Sequence, residues 1–220
     1  MLKIGILVAM GMEAGKLISR IEGAQPESAA GKKFVRGKIG QAEVLLHRCG
    51  WGMPNAEKGV RALVERFQPD VIVNYGVSGG IVPEIKLAQT VVALSSFPAS
   101  GRGYAGNPAE LTDQSLAQFA AGILPHARLE KVSTSLGIIF NRKRKTRVAD
   151  KSGAVCIDME TYTAARTANA LGIPLLVIRC LSDTYNSASL LAFAKNGEIA
   201  AESVAKDTEA VIRALAARKT

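Results

Sequence analysis

Three short runs constrain this chain more than any other feature: Lys3–Val8 (KIGILV), Val71–Tyr75 (VIVNY) and Leu175–Cys180 (LLVIRC). Each is almost continuously apolar and too short for a helix of ordinary length. A strand of that kind offers no polar face to water, so it belongs in a sheet covered on both sides. Helical patterns fall between the runs, from about Met12 to Ile21, from Pro54 onward, near Asp113–Ala121 and over Glu160–Leu171. A last one spans about Glu198–Ala217, with Val204, Thr208, Val211 and Leu215 on one face. Residues 33–39 and 43–48 read as a hairpin across Gly40-Gln41, and Gln89–Leu94, Glu130–Leu136 and Val155–Asp158 as further strands. This alternation predicts an α/β fold, a three-layer α/β/α sandwich around a mixed, mostly parallel sheet. No repeat or linker interrupts the 220 residues, so one domain over 1–220 is expected.

In such sheets ligands collect beyond the carboxyl ends of the strands. The residues just past those ends are Met10–Glu13, Gly50–Gly52, Gly76–Gly80 (a glycine turn closing the VIVNY strand), Asp158–Glu160 and Ser182-Asp183. The acids Glu13, Glu160 and Asp183 therefore converge on one sheet edge. Singly, each reads as a helix-start or loop carboxylate. Together they indicate a functional site.

Several function classes are disfavoured. The net charge of +9 raises nucleic acid as a partner, but the cations are scattered apart from Arg142-Lys143-Arg144-Lys145 and nearby Arg147. No aromatic residues alternate with that run to stack on bases, so it reads as a solvated helix face and no nucleic acid is expected. The GRGYAG segment at 101–106 matches a dinucleotide fingerprint in letters only, because Asn107-Pro108 follow where a helix must start. It reads as a mobile surface loop. GVSGG and CGWGMPN lack the Gly-Lys-Ser/Thr ending of a phosphate loop. His47 reads as sheet surface and His126 as loop; no zinc-ligand spacing and no nucleophile-elbow sequence is present. Neither a metal nor an organic cofactor is expected. Cys49, Cys156 and Cys180 are far apart, which suits a reducing cytoplasm. Gly11, Glu13 and Lys16 interrupt any signal-like N-terminal run, and no stretch approaches the ~18 apolar residues of a membrane span.

The ordered motifs AMGMEA (9–14), NYGVSGG (74–80), CIDMET (156–161) and RCLSD (179–183) resemble the nucleoside phosphorylase superfamily. Within it they are most similar to the 5′-methylthioadenosine/S-adenosylhomocysteine nucleosidases, and the likeness covers nearly the whole chain. The resemblance implies a cytoplasmic homodimer working in methionine salvage, hydrolysing the N-glycosidic bond of a purine nucleoside and releasing adenine. It implies that Glu13 activates the attacking water, that Asp183, oriented by Ser182, protonates N7 of the leaving purine, and that Glu160 grips the ribose hydroxyls. Met159 lies against the sugar and Asp158 matches a further acid. Trp51 matches an apolar position on the ribose side, Phe193 an aromatic wall near the 5′ substituent, and Phe140 the aromatic that stacks on the base. Met10, Val77, Ser78 and Gly79 complete the implied substrate-binding set.

The chemistry agrees with those roles. Breaking the bond leaves a cation-like sugar, so the base must be neutralised as it leaves while a nucleophile arrives on the other face. Alternatives stay open. Family members that use phosphate resemble one another in placing arginines where this chain has Glu13 and Asn74, which favours water; the run Arg142–Arg147 keeps a phosphorylase as the runner-up. GVSGG stands where the nucleosidases have GSAGG, and the stretch Ser95–Glu110 is shorter than theirs and lacks its acidic and histidine residues. The 5′ group is thus undetermined, and an adenosylhopane nucleosidase of hopanoid synthesis is a second alternative. A third, of another class, is a nucleoside-binding protein without turnover.

Overall fold

The computed structural model describes residues 1–100, 103, 104, 107, 109, 110, 114–186 and 190–218. The chain runs β1 (Lys3–Val8), α1 (Gly11–Ile18), β2 (Glu22–Ala29), β3 (Lys32–Ile39), β4 (Ala42–Arg48), α2 (Met53–Phe67), β5 (Val71–Gly80) and β6 (Thr90–Ser100). It continues through β7 (Gly103–Tyr104), β8 (Ala109–Glu110), α3 (Gln114–Ile123), β9 (Arg128–Ser135), α4 (Arg142–Ser152), β10 (Cys156–Asp158), α5 (Thr161–Ala170), β11 (Leu175–Asp183) and α6 (Leu190–Arg218).

Strands β4, β1, β5 and β11 lie parallel in the middle of one sheet. β3 and β2 extend it antiparallel beyond β4, and β6 follows antiparallel on the far side of β11. β9 and β10 continue in parallel from β6. β10 then pairs antiparallel with the end of β5, Cys156 opposite Gly80 and Ile157 opposite Gly79. The sheet so curls back on itself and gathers the carboxyl ends of β5, β10 and β11.

The apolar runs behave as their composition requires. In β1, Ile4, Ile6 and Val8 join the core on one face while Leu7 joins the core on the other. β11 divides in the same way, with Leu176, Ile178 and Cys180 on one side and Leu175, Val177 and Leu181 on the other. This period of two, buried on both sides, is the signature of a covered parallel sheet. Helices α1, α3 and α6 pack on the first face and α2 and α5 on the second. On α6, Val204, Thr208 and Val211 are fully buried and Leu215 nearly so, as their spacing predicts.

Some boundaries differ from expectation. β5 does not end in a glycine turn at Gly76 but continues through Gly80, because that stretch pairs with β11 on one side and β10 on the other. β6 continues to Ser100 through pairing with β9 as far as Ala99 and with β7 at Ser100, although its second half carries turn-forming residues. The edge strand β2, EGAQPESA, has no apolar alternation and exists through its pairing with β3. α6 starts at Leu190, eight positions ahead of the expected Glu198. His47 is buried rather than on the sheet surface: its Nδ1 lies 2.9 Å from the Lys33 carbonyl and its ring packs on Phe34. Of GRGYAG the structure describes Gly103 and Tyr104, which pair with β6; the mobile-loop expectation otherwise falls outside the described residues. No helix among the described residues is long and apolar enough to cross a membrane.

One buried ionic cluster ties the sheet ends together. Arg179 of β11 is 1% exposed, and its Nε donates to Asp158 Oδ2 at 2.8 Å. One terminal nitrogen donates to the Asn74 carbonyl at 3.1 Å; the other donates to Asn74 Oδ1 at 2.5 Å and Thr161 Oγ1 at 2.8 Å. Asp158 also accepts from Thr134 Oγ1, from Thr161 Oγ1 and from the backbone N–H groups of Glu160 and Thr161. Burial works against the guanidinium charge, and the carboxylates of Asp158 and Glu160 more than restore it. Removing one partner strands the other's charge in the core. We expect Arg179→Met to lower unfolding free energy by about 3–5 kcal/mol, with part of the loss recovered in Arg179→Met/Asp158→Asn; chemical denaturation of the two variants measures both.

Candidate active site

Beyond the strand ends lies a cavity of about 210 Å³ whose wall includes Glu13, Glu160 and Asp183. Each acid reaches it by a different local device.

Glu13 occupies the third helical position of α1, one turn past the end of β1. Its carboxylate bends back to accept the Met10 N–H at 2.8 Å, the reach that an acid at this position makes toward a helix start. The other oxygen accepts the Val77 N–H of β5, also at 2.8 Å. Tyr75 Oη donates to the Glu13 carbonyl at 2.8 Å, fixing the backbone beneath. A Cβ on Gly76 would stand 2.7 Å from Glu13 Oε1, so the glycine is what lets the carboxylate lie against the strand. Glu13 is 2% exposed; burial raises its pKa, and the two amide donors and Arg179 pull it back.

Glu160 stands at the start of α5 and accepts the Gly52 N–H at 2.7 Å from the start of α2. The positive end of α2 thus faces this carboxylate. Burial, and then the charge of Asp158, push its pKa up to about 7. Asp183 closes β11. Ser182 Oγ donates to Asp183 Oδ1 and to the Ser78 carbonyl, both at 3.3 Å, while Lys145 Nζ donates to Asp183 Oδ2 at 3.3 Å. Burial raises the Asp183 pKa, and Lys145 and Ser182 oppose the rise. A Cβ on Gly79 would come within 3.1 Å of both Asp183 oxygens, so a side chain there would press on the carboxyl and shift it.

The remaining residues singled out in the sequence share the wall: Met10, Trp51, Val77, Ser78, Gly79, Phe140, Asp158, Met159, Ser182 and Phe193. Asp158 is the exception in kind. Both its oxygens are taken by protein donors, so it braces the junction rather than turning a free carboxylate to the cavity. Sequence reasoning missed Ser135, Gly137, Ile138 and Ile139, which join Phe140 on one side of the wall. It also missed Arg179, hidden inside an apolar strand pattern, and Lys145. The helical spacing of Lys145, Val148 and Ser152, all buried on α4, was the available signal for the last. The neighbours Arg142, Lys143, Arg144 and Arg147 are exposed, in keeping with a solvated face.

The cavity can hold a molecule with one polar centre and one apolar end. The acidic groups Glu13, Glu160 and Asp183 share the wall with apolar surface from Ile138, Ile139, Phe140, Met159 and Phe193. Among the described lining residues none is lysine or arginine. His/Cys/Asp/Glu groups able to hold a metal ion are absent among the described residues.

The chain is similar to several known proteins. A 5′-methylthioadenosine/S-adenosylhomocysteine nucleosidase of Geobacillus kaustophilus is 29% identical over 219 residues, covering 91% of this chain and 92% of the relative. The solved structure of an S-adenosylhomocysteine nucleosidase from Streptococcus pyogenes, in complex with 5-methylthiotubericidin, superposes with a TM-score of 0.90 at 21% identity, covering 97% of both chains. A futalosine hydrolase mutant of Helicobacter pylori superposes with a TM-score of 0.88 at 19% identity, over 96% of this chain and 99% of that one. At such identities the two structures establish the fold alone. The profile of the family described as Phosphorylase superfamily matches residues 3–213, from the first strand to the last helix, and the chain belongs to that superfamily.

Proposed function

We propose that this chain hydrolyses the N-glycosidic bond of a purine nucleoside of the methylthioadenosine or adenosylhomocysteine type and releases adenine. The observation that carries this reading is the meeting of three buried or half-buried carboxyl groups, Glu13, Glu160 and Asp183, around one cavity lined otherwise by apolar side chains.

The division of labour follows from surroundings. Glu13, oriented by two amide donors, holds the attacking water and takes its proton as oxygen bonds to C1′. Asp183 gives its proton to N7 while the C1′–N9 bond breaks, so the base leaves neutral. Its raised pKa keeps that proton available at higher pH than an exposed carboxyl allows. Glu160, with one oxygen on the Gly52 amide, turns the other toward the ribose hydroxyls and favours positive charge on the ring. Met159 and Trp51 lie on the sugar side, Phe140 and its isoleucine neighbours against the base, and Phe193 against the 5′ end.

Water is favoured over phosphate because the lining carries no cation among the described residues. One observation supports the runner-up, a phosphorylase: Arg48 lines a cleft adjoining the site through Met10 and Trp51. The arginines of the basic run lend it no support, since they are exposed on α4 and outside the lining. The family match over 3–213 supports a single domain. The free cysteines support a reducing cytoplasm, and exposed Trp51, Ile138 and Phe140 at the cavity mouth support burial against a second copy in a homodimer.

A nucleoside panel assayed by chromatography tests the reading. Adenine is expected from methylthioadenosine or adenosylhomocysteine without phosphate; release only when phosphate is added makes the protein a phosphorylase, and binding without product makes it a non-catalytic binder. Asp183→Asn is expected to lower kcat/KM by about 10²–10⁴-fold. Gly76→Ala, which drives the Glu13 carboxylate off β5, is expected to lower kcat by on the order of 10²-fold with KM little changed, measured by steady-state kinetics.

A further inference from the structure

Lys145 is the one member of the basic run that points inward. It is 0% exposed, on the buried stripe of α4, and its ammonium contacts Asp183 without itself lining the cavity. Its three contacts use the full donor capacity of an ammonium: the Gly80 carbonyl at 2.7 Å, the Thr184 carbonyl at 3.2 Å and Asp183 Oδ2 at 3.3 Å. The first belongs to the end of β5, the other two to the end of β11 and the residue after it. Helix α4 is further pinned to the segment after β11, through Arg142 to the Asn186 carbonyl and Thr146 Oγ1 to Tyr185 Oη. A buried ammonium is costly to hold, and packing alone is met by a leucine or methionine at the same position.

We propose that Lys145 is a positioning residue for Asp183, its ammonium clamping the carboxyl against the glycines of β5 and governing how firmly that carboxyl holds the proton it gives to the leaving base. This rests on the proton-donor role of Asp183 proposed above. The transfer is complete without the lysine: the Asp183 O–H bond breaks, N7–H forms as C1′–N9 breaks, and the carboxylate left behind stays beside an ammonium that gives up nothing. The lysine stabilises the product side of that step, where Asp183 is charged. It also sets the upper pH at which Asp183 still carries a proton.

The charged and polar groups facing Asp183 are few. From α4 comes Lys145, from β11 Ser182, and from β5 the backbone of Gly79, which brings no titratable group. Glu13 and Glu160 share the cavity wall. Burial raises the Asp183 pKa and Lys145 is the foremost group opposing that rise; on the lysine, burial lowers the pKa and Asp183 offsets only part of that fall. A group with a raised pKa works as an acid below that pKa and fails as pH rises through it. Removing the ammonium therefore moves the failure to higher pH.

The test is the pH dependence of kcat/KM for adenine release from methylthioadenosine by the full chain and its Lys145→Met, Lys145→Gln, Lys145→Arg and Asp183→Asn variants. In the Met and Gln variants the descending alkaline limb is expected to move up by about one to three pH units, while kcat at the plateau falls. The Arg variant, which keeps the charge, is expected to keep the limb. Gln retains a donor for the Gly80 or Thr184 carbonyl and carries the test if Met does not fold, as judged by circular dichroism. An alkaline limb unmoved in a folded Met or Gln variant, or moved equally in Arg, overturns the clamp and leaves Lys145 as a helix anchor. Full activity in Asp183→Asn instead overturns the proton-donor reading, independently of Lys145.

Discussion

A guanidinium without access to water must find its hydrogen bonds within the protein, and here that demand organises the business end of the sheet. Arg179 of β11 reaches Asp158 at the end of β10, Asn74 in β5 and Thr161 at the start of α5. These belong to separate stretches of chain, so satisfying one side chain fixes how three strands and a helix meet. The Asp158 carboxylate extends the network to Thr134 of β9 and to the first amides of α5. Glu160 is two residues from that carboxylate and Asp183 four residues beyond the arginine, so both inherit their positions from it.

Around this frame the acids are differentiated by what lies next to each. Glu13 has backbone amides, Glu160 a helix start and a negative neighbour, Asp183 a serine and an ammonium. Burial pushes all three toward the protonated form, and the neighbours then set them apart. A reaction that needs one group to accept a proton and another to donate one depends on such a separation. Two glycines of β5 make the arrangement sterically possible, Gly76 under Glu13 and Gly79 under Asp183. What looks in the sequence like turn chemistry is strand backbone cleared for carboxylates.

The parts of the fold legible in the sequence were those with a strong period. The apolar runs of β1, β5 and β11 and the stripe on α6 announced themselves, because burial on one or two faces leaves a repeating mark. The edge strand β2 and the second half of β6 left none, since their strand character comes from the strands they pair with, β3 across a tight turn for β2 and β9 for β6, and not from an apolar alternation of their own. The candidate site was legible to the same degree. Acids and glycines just past strand ends were visible as a group, whereas Arg179 was disguised by an apolar strand and Lys145 by a run of exposed cations around it.

Local sequence alone determined which segments are strands buried on both faces, and that Glu13, Glu160 and Asp183 stand at their carboxyl ends, because alternation and apolar runs depend only on near neighbours along the chain. Tertiary structure decided which oxygens are free to act. Asp158 and Glu160 are almost adjacent in sequence and both line the cavity, yet one accepts from five donors of the protein and the other from the Gly52 amide. It also decided that a lysine in a basic helix faces an acid 38 residues away. Charge is screened and indifferent on a surface but commanding in a buried site, and burial is a property of the folded chain.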